Sequence, residues 1–457
     1  MKVKCIRSKG IAHNSYIIES DGEAAVIDPR RDFGVYLNHL ARNELKLKYI
    51  FETHRNEDYV IGSQSLSKLT GAGIYHGSNL NFEYGTGLSD NDEFYLGHLK
   101  INALETPGHT DESISYIVSI PSLSDEAIMV FTGDLIFAGD TGRIDLYGDK
   151  HEYRLSSMMY DSIFNKILPL GDGVIMCPAH GAGSVCGGNI NSMEHTTLGF
   201  EKKNNPSLQV STKNEFIQMK MKEKHRYPPY FKQMEIYNLS GFHGSKHPPS
   251  LSPLSATELK KRFSQQSHVL IDTRTPEDFS TAHIKGSYNI WLDGLASFGG
   301  WIISHNDNVI LVTYDGYNCL TKAVKYLFRL GYDNIEGYLK GGIESWYLDN
   351  LPVESISVLT VDDLKSKIDS NEDIEVLDVR DDNEWELGHI RGARHIYVGD
   401  LESTELDISH NKTIVVYCST GKRSSLAASI LKRKKYKNVY NLLGGTTAWY
   451  KAGYELI

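Results

Sequence analysis

Tyr49-Ile-Phe-Glu-Thr-His54 is an apolar run that ends on a histidine, and the arrangement recurs three times further along the chain. Ile101-Asn-Ala-Leu-Glu-Thr-Pro-Gly leads to His109, Ile128-Met-Val-Phe-Thr-Gly to Asp134, and Val174-Ile-Met-Cys-Pro-Ala to His180. Short apolar runs of this kind, bounded by Gly and Pro, read as strands. Strand ends are rigid, so four of them pointing at one edge of a sheet can hold a metal without much reorganisation. A single such histidine is an ordinary loop residue; four ligating residues in order point to a metal site.

The pattern resembles the metallo-β-lactamase superfamily, whose strands deliver T-H-x-H-x-D-H, then Gly-His, then Asp, then a final His. In Thr53-His-Arg-Asn-Glu-Asp-Tyr59 the first motif is altered. Asn56 and Tyr59 stand where a two-metal hydrolase such as glyoxalase II keeps histidines, and amide and phenol are poor substitutes for imidazole on a divalent transition metal. The expectation is that a second metal is lost. His54, His109 and Asp134 remain, a two-histidine, one-carboxylate set with open positions that suits one non-haem Fe(II) per chain. The resemblance is then closest to the persulfide dioxygenase branch, and it extends to Thr106-Pro-Gly-His-Thr110, Gly142-Arg-Ile-Asp145 and Pro228-Pro-Tyr-Phe231. It implies that Arg143 binds the thiol substrate through a carboxylate or phosphate. It also implies that Asp28 braces the metal loops, and that Asp58 and His180 hydrogen-bond a ligand or iron-bound water. Cys186, in the glycine-rich Gly181-Ala-Gly-Ser-Val-Cys-Gly-Gly188, is a weaker candidate, since a lone cysteine is more often a small apolar side chain.

The segment Gly241 to Pro253 is rich in Gly, Ser and Pro and reads as a linker. Beyond it the sequence repeats. Asp272-Thr-Arg274 matches Asp378-Val-Arg380, His283-Ile-Lys-Gly286 matches His389-Ile-Arg-Gly392, and Gly341-Gly342 with Trp346 match Gly444-Gly445 with Trp449. Each copy alternates β-rich runs with helical patterns, such as Leu426 to Lys435, which predicts a parallel α/β sheet. The predicted organisation is an αββα metallo-β-lactamase sandwich over residues 1–245, then two rhodanese-like α/β domains over 254–355 and 356–457.

The rhodanese resemblance rests on the last copy. Thr413-Ile-Val-Val-Tyr417 runs into Cys418-Ser-Thr-Gly-Lys-Arg-Ser424 and a helix, so the cysteine meets backbone N–H groups and a helix N-terminus that favour a thiolate. The loop resembles that of single-domain rhodaneses, which carry sulfane sulfur on this cysteine. Cys418 and Arg423 are the expected catalytic residues, with Ser419, Thr420, Gly421 and Lys422 forming the cradle. Only four residues separate Cys418 from Arg423, one fewer than in the phosphate-sized loop of related cysteine phosphatases. In the first copy Tyr314 falls opposite Cys418, and Cys319 opposite Arg423, so that domain is expected to be catalytically silent.

Acidic and basic residues are mixed, with 48 Lys and Arg against 58 Asp and Glu for a net charge of −10, which argues against a nucleic-acid partner. No signal-like or membrane-spanning run is evident, and five cysteines suit a reducing compartment, so the expected location is the cytoplasm. The expected function is oxidation of a low-molecular-weight thiol persulfide by O₂ to sulfite, coupled to transfer of sulfane sulfur onto sulfite to give thiosulfate. The rivals are a glyoxalase II-like metallohydrolase and a non-catalytic sulfur-relay or thiol-binding protein. The sequence leaves the carrier thiol and the oligomeric state open, a homo-oligomer included.

Overall fold

The computed structural model describes the whole chain except residues 194, 243, 265–267 and 315. It divides into two compact units, one built on Met1–His247 and the other on Pro248–Phe328 and Tyr332–Ile457.

The first unit is a sandwich of two six-stranded sheets. One runs in sequence order from Lys2–Ser8 through His13–Ser20, Glu23–Ile27, Lys46–Phe51 and Gly73–Gly77 to Thr86–Leu88. The other has the order Thr196–Thr197, Ile175–Pro178, Ser124–Gly133, Ile114–Ile120, Leu99–Glu105, Glu93–Leu96. Alternate residues of facing strands fill the space between them: Tyr16, Ile18, Ile27, Phe51, Ile101, Tyr116 and Phe131 are all buried there. Helices cover the outer faces. Tyr36, Leu40 and Leu66, from the helices Gly34–Arg42 and Ser63–Thr70, pack on the first sheet, and Leu155, Met159 and Phe216, from Asp149–Tyr160 and Lys213–Lys220, pack on the second. The strands Lys46–Phe51, Leu99–Glu105, Ser124–Gly133 and Ile175–Pro178 form where the apolar runs suggest and precede His54, His109, Asp134 and His180.

The second unit holds two five-stranded parallel sheets of identical order. The first is Ser252–Leu254, Ile335–Leu339, Asn308–Val312, His268–Asp272, Tyr288–Asn289. The second is Ser357–Leu359, Asn438–Leu442, Thr413–Tyr417, Ile374–Asp378, Arg394–His395. Ser252–Leu254 therefore belongs to a sheet, which shortens the expected linker; His243 within that stretch lies outside the described residues. The helix expected over Leu426 to Lys435 runs from Lys422 to Arg433, starting inside the cysteine loop.

The repeated motifs turn out to be architectural. Arg274 is buried and grips Asp272 through Nε and Nη2 while Nη2 also reaches the Ala282 carbonyl at 2.9 Å. Arg380 does the same with Asp378 and the Gly388 carbonyl at 2.7 Å. His283 stacks on Phe279 with ring centroids 3.9 Å apart, and His389 on Trp385 at 3.5 Å. Gly445 has φ +53°, and a Cβ there would lie 1.9 Å from the Cys418 carbonyl oxygen, so the second Gly-Gly seats the cysteine loop.

Candidate metal centre and cysteine loop

Three strand-end residues bring their ligating atoms together in the first unit. Asp134 Oδ2 lies 3.7 Å from His54 Nε2 and 3.6 Å from His109 Nε2. Donors about 2.1 Å from one cation sit between about 3.0 and about 4.2 Å from each other, so this spacing fits a single ion. All three side chains are buried, and His54 Nε2, His109 Nε2 and both Asp134 oxygens have no hydrogen-bond partner among the described residues. Buried polar atoms are nearly always paired, so an unpaired cluster that converges is suited to hold a cation.

The tautomers are set from behind. His109 Nδ1 donates to the Arg143 carbonyl at 2.8 Å. His54 Nδ1 meets Thr53 Oγ1 at 2.9 Å, and that hydroxyl spends its own hydrogen on Asp28 Oδ2 at 2.7 Å, so it accepts from His54. Each ring thus turns an Nε2 lone pair to the pocket. Burial also holds His54 down to about 4, which keeps it neutral. Burial pushes Asp134 up, but the imidazoles of His180, His54 and His109 outweigh it and hold the carboxyl below its usual range.

Asn56 and Tyr59 bring no imidazole to the pocket. Asn56 turns its amide onto the His54 carbonyl at 2.9 Å, and Tyr59 stacks on His13 with its hydroxyl 3.4 Å from the Asp28 carbonyl. Asp28 is where the sequence suggests, behind Thr53. Asp58 and His180 face the pocket directly: His180 Nε2 is 3.6 Å from both Asp58 Oδ2 and Asp134 Oδ2, and among the described residues neither Asp58 Oδ1, Asp58 Oδ2 nor either His180 nitrogen has a hydrogen-bond partner. Cys186 completes this second group and is buried. Its thiol is pushed well above the usual range by burial and by Asp134, Asp58 and Glu57.

Two residues depart from the sequence reading. Arg143 is fully buried and spent inside the protein: Nε and Nη2 clasp Asp145 at 2.6 Å each, and Nη1 donates to the Val185 and Arg226 carbonyls. Its contact with the site is through its backbone carbonyl and His109, so its side chain braces the pocket instead of awaiting a substrate anion. Glu57 was passed over as a spacer in the motif, yet its Oε2 lies 3.6 Å from His109 Nε2 and 4.0 Å from His54 Nε2. A carboxylate inside a ligand motif was the available signal.

In the second unit Cys418 is buried at the strand end and receives the Gly421 N–H at 3.2 Å and the Ser424 hydroxyl at 3.5 Å. Gly421, at φ +96°, caps the helix Lys422–Arg433 and turns its N–H onto the sulfur. Arg423 is clasped by Glu384, a residue that no sequence motif singles out, with Nη2 at 2.8 Å from Oε1 and 2.6 Å from Ser419 Oγ. Burial opposes ionisation of Glu384, but Arg423 holds it down at about 2. Tyr314, opposite Cys418, directs its hydroxyl to Asp278 and the Thr275 N–H. Asp315 next to it lies outside the described residues. Cys319 is on the helix Tyr317–Arg329, one turn from that loop.

Comparison with known proteins agrees with this layout. The metallo-beta-lactamase superfamily pattern matches residues 9–180, and the rhodanese-like domain pattern matches twice, over 255–349 and 360–452. The chain is a metallo-beta-lactamase domain followed by two rhodanese-like domains. A crystal structure of a metallo-beta-lactamase from Staphylococcus aureus is 28% identical, aligns over 74% of this chain and 99% of its own, and gives a TM-score of 0.67. The probable hydroxyacylglutathione hydrolase glo2 of Schizosaccharomyces pombe is 29% identical over 230 residues, 44% of this chain and 84% of that one. The putative sulfur carrier protein YrkF of Bacillus subtilis is 36% identical over 95 residues, 21% of this chain, which spans 51% of that relative's length. No described helix is long and apolar enough to cross a membrane.

Proposed function

We propose that the chain is a persulfide dioxygenase with a built-in sulfurtransferase. The metal pocket oxidises a low-molecular-weight thiol persulfide with O₂ and water to sulfite and the free thiol. Cys418 accepts sulfane sulfur from a second persulfide and gives it to sulfite, forming thiosulfate and restoring the thiolate. The observation that carries the reading is the pair of imidazole nitrogens and one carboxylate that converge unpartnered among the described residues, on a chain that also carries a rhodanese cysteine loop. One ferrous ion held by His54, His109 and Asp134 would supply the activation of dioxygen. Thr53 and the Arg143 carbonyl fix the protons of the two imidazoles on the far nitrogens. Gly421 N–H and Ser424 hydroxyl donate to the Cys418 sulfur, where they stabilise a thiolate.

One observation favours a second reading. Asp58, His180 and Cys186 gather beside Asp134, which could serve a two-metal thioester hydrolase of the kind the fission-yeast relative is named for. Metal analysis joined to oxygen uptake on glutathione and coenzyme A persulfides separates the two. One iron per chain and consumption of O₂ support the dioxygenase; two tightly held zinc ions with thioester cleavage would replace it with the hydrolase. Persulfide binding without either reaction would leave a sulfur-relay protein.

A further inference from the structure

We propose that Glu57 is a fourth protein ligand of the metal centre, entering from the position beside the one where the superfamily motif has its second histidine. The inference rests on the reading of this pocket as a metal centre.

The first support is an unspent oxygen. Glu57 is 1% exposed, and its Oε1 accepts from Arg55 Nη2 at 3.1 Å, which leaves Oε2 directed into the pocket with no hydrogen-bond partner. A buried carboxylate oxygen left so is costly unless a cation meets it. The second is position. Glu57 Oε2 stands 3.6 Å from His109 Nε2 and 4.0 Å from His54 Nε2, while Asp134 Oδ2 stands 3.6 and 3.7 Å from the same two atoms. The two carboxylates approach one pair of imidazoles at like distances.

Backbone geometry explains why residue 57 does this and residue 56 does not. Asn56 has φ +43°, a left-handed conformation that Asn tolerates better than most residues. Asn238 fixes the turn by donating to the Asn56 and Tyr59 carbonyls at 2.7 Å each, and Asn56 ties its amide back to the His54 carbonyl. With the side chain of Asn56 folded onto the backbone, the next side chain takes the pocket. Four protein donors leave fewer positions open to substrate than the three read from the sequence.

The test measures ferrous affinity anaerobically by chelator competition for the full chain, Glu57→Gln and Glu57→Ala, with a crystal structure of the iron-loaded protein. A ligand role predicts that both variants lose more than about 100-fold in affinity, beyond the roughly 10–100-fold typical of groups that only support a ligand. Glu57→Gln keeps the volume and an acceptor for Arg55, and the metal-free unfolding midpoints of both variants separate the cost of losing the Arg55 ion pair from the loss of a ligand. In the crystal, Oε2 should lie about 2.2 Å from the ion. Ion bound by His54, His109 and Asp134 with wild-type affinity in Glu57→Gln would overturn the assignment alone; no divalent ion bound by the wild-type chain would overturn it together with the metal-centre reading.

Discussion

Thr53 gives both its backbone N–H and its hydroxyl to a single carboxylate, that of Asp28, at 2.8 and 2.7 Å. Because the hydroxyl hydrogen is spent there, Thr53 Oγ1 can only accept from His54, and the imidazole must keep its lone pair on Nε2. Asp28→Asn puts an amide N–H against one of these two donors. It should weaken ferrous binding by about 10–100-fold while leaving the Cys418 domain's sulfur transfer intact. Chelator titration of the variant with wild-type affinity would remove Asp28 from any role at the site.

Arg143→Ala tests the same logic on the other imidazole. The sequence suggested a substrate contact, which predicts a raised KM with iron retained. The structure predicts loss of iron, because the clasp on Asp145 holds the loop whose carbonyl orients His109. Breaking this largely buried pair should cost about 2–3 kcal/mol of stability, below the range for fully buried pairs because Asp145 is partly exposed. Calorimetry and iron content together decide it: a normal melting transition and full iron with a raised KM would restore the substrate role.

Glu384 governs the charge beside Cys418. Its carboxylate neutralises Arg423 and so weakens the pull of that guanidinium on an incoming anion. Glu384→Gln should lower the sulfite concentration needed for half-maximal sulfur transfer, and the gain should shrink as salt rises, as expected for a partly exposed charge. A higher sulfite requirement in the variant would mean that Glu384 serves mainly to position Arg423.

The strand-end residues of the pocket were legible because each follows the end of an apolar strand within four residues, and the repeat was legible because Asp272, Arg274, His283 and Trp346 recur as architectural parts. What escaped the sequence was orientation. Nothing in Thr53 to Tyr59 states that Asn56 adopts a left-handed conformation, the turn that precedes Glu57. The inward fate of Arg143 depends on the Val185 and Arg226 carbonyls, 42 and 83 residues away in the chain. The Glu384 clasp on Arg423 likewise spans 39 residues.

His283 links the middle domain to pH. Burial, partly opposed by the bond from Nδ1 to the Phe279 carbonyl, holds its ring down to about 4. The folded form is therefore neutral where the unfolded chain, titrating near the usual 6.5, takes up a proton. The contribution is fully present above pH 6.5 and is lost as pH falls from 6.5 through 4, about 3 kcal/mol in all. His283→Gln should flatten that acid-side loss in the calorimetric transition of the second unit. An unchanged slope would assign it to other groups.

The final prediction concerns the division of labour between metal pocket and cysteine loop. Cys418→Ser removes the sulfur that Gly421 and Ser424 cradle, and Cys418 belongs to a different compact unit from the metal pocket, so the two effects should be independent. Oxygen uptake on a thiol persulfide should continue, with the product shifting from thiosulfate to free sulfite because no loaded cysteine meets it. Cys319→Ser should leave thiosulfate formation near wild type, since Cys319 sits on the helix after the loop and Tyr314 occupies the position opposite Cys418. His109→Ala should behave in the opposite way, losing oxygen uptake while Cys418 still converts persulfide and added sulfite to thiosulfate. Loss of oxygen uptake in Cys418→Ser would show that the cysteine takes part in the oxidation itself. Loss of sulfur transfer in Cys319→Ser would show that the middle domain carries sulfur after all.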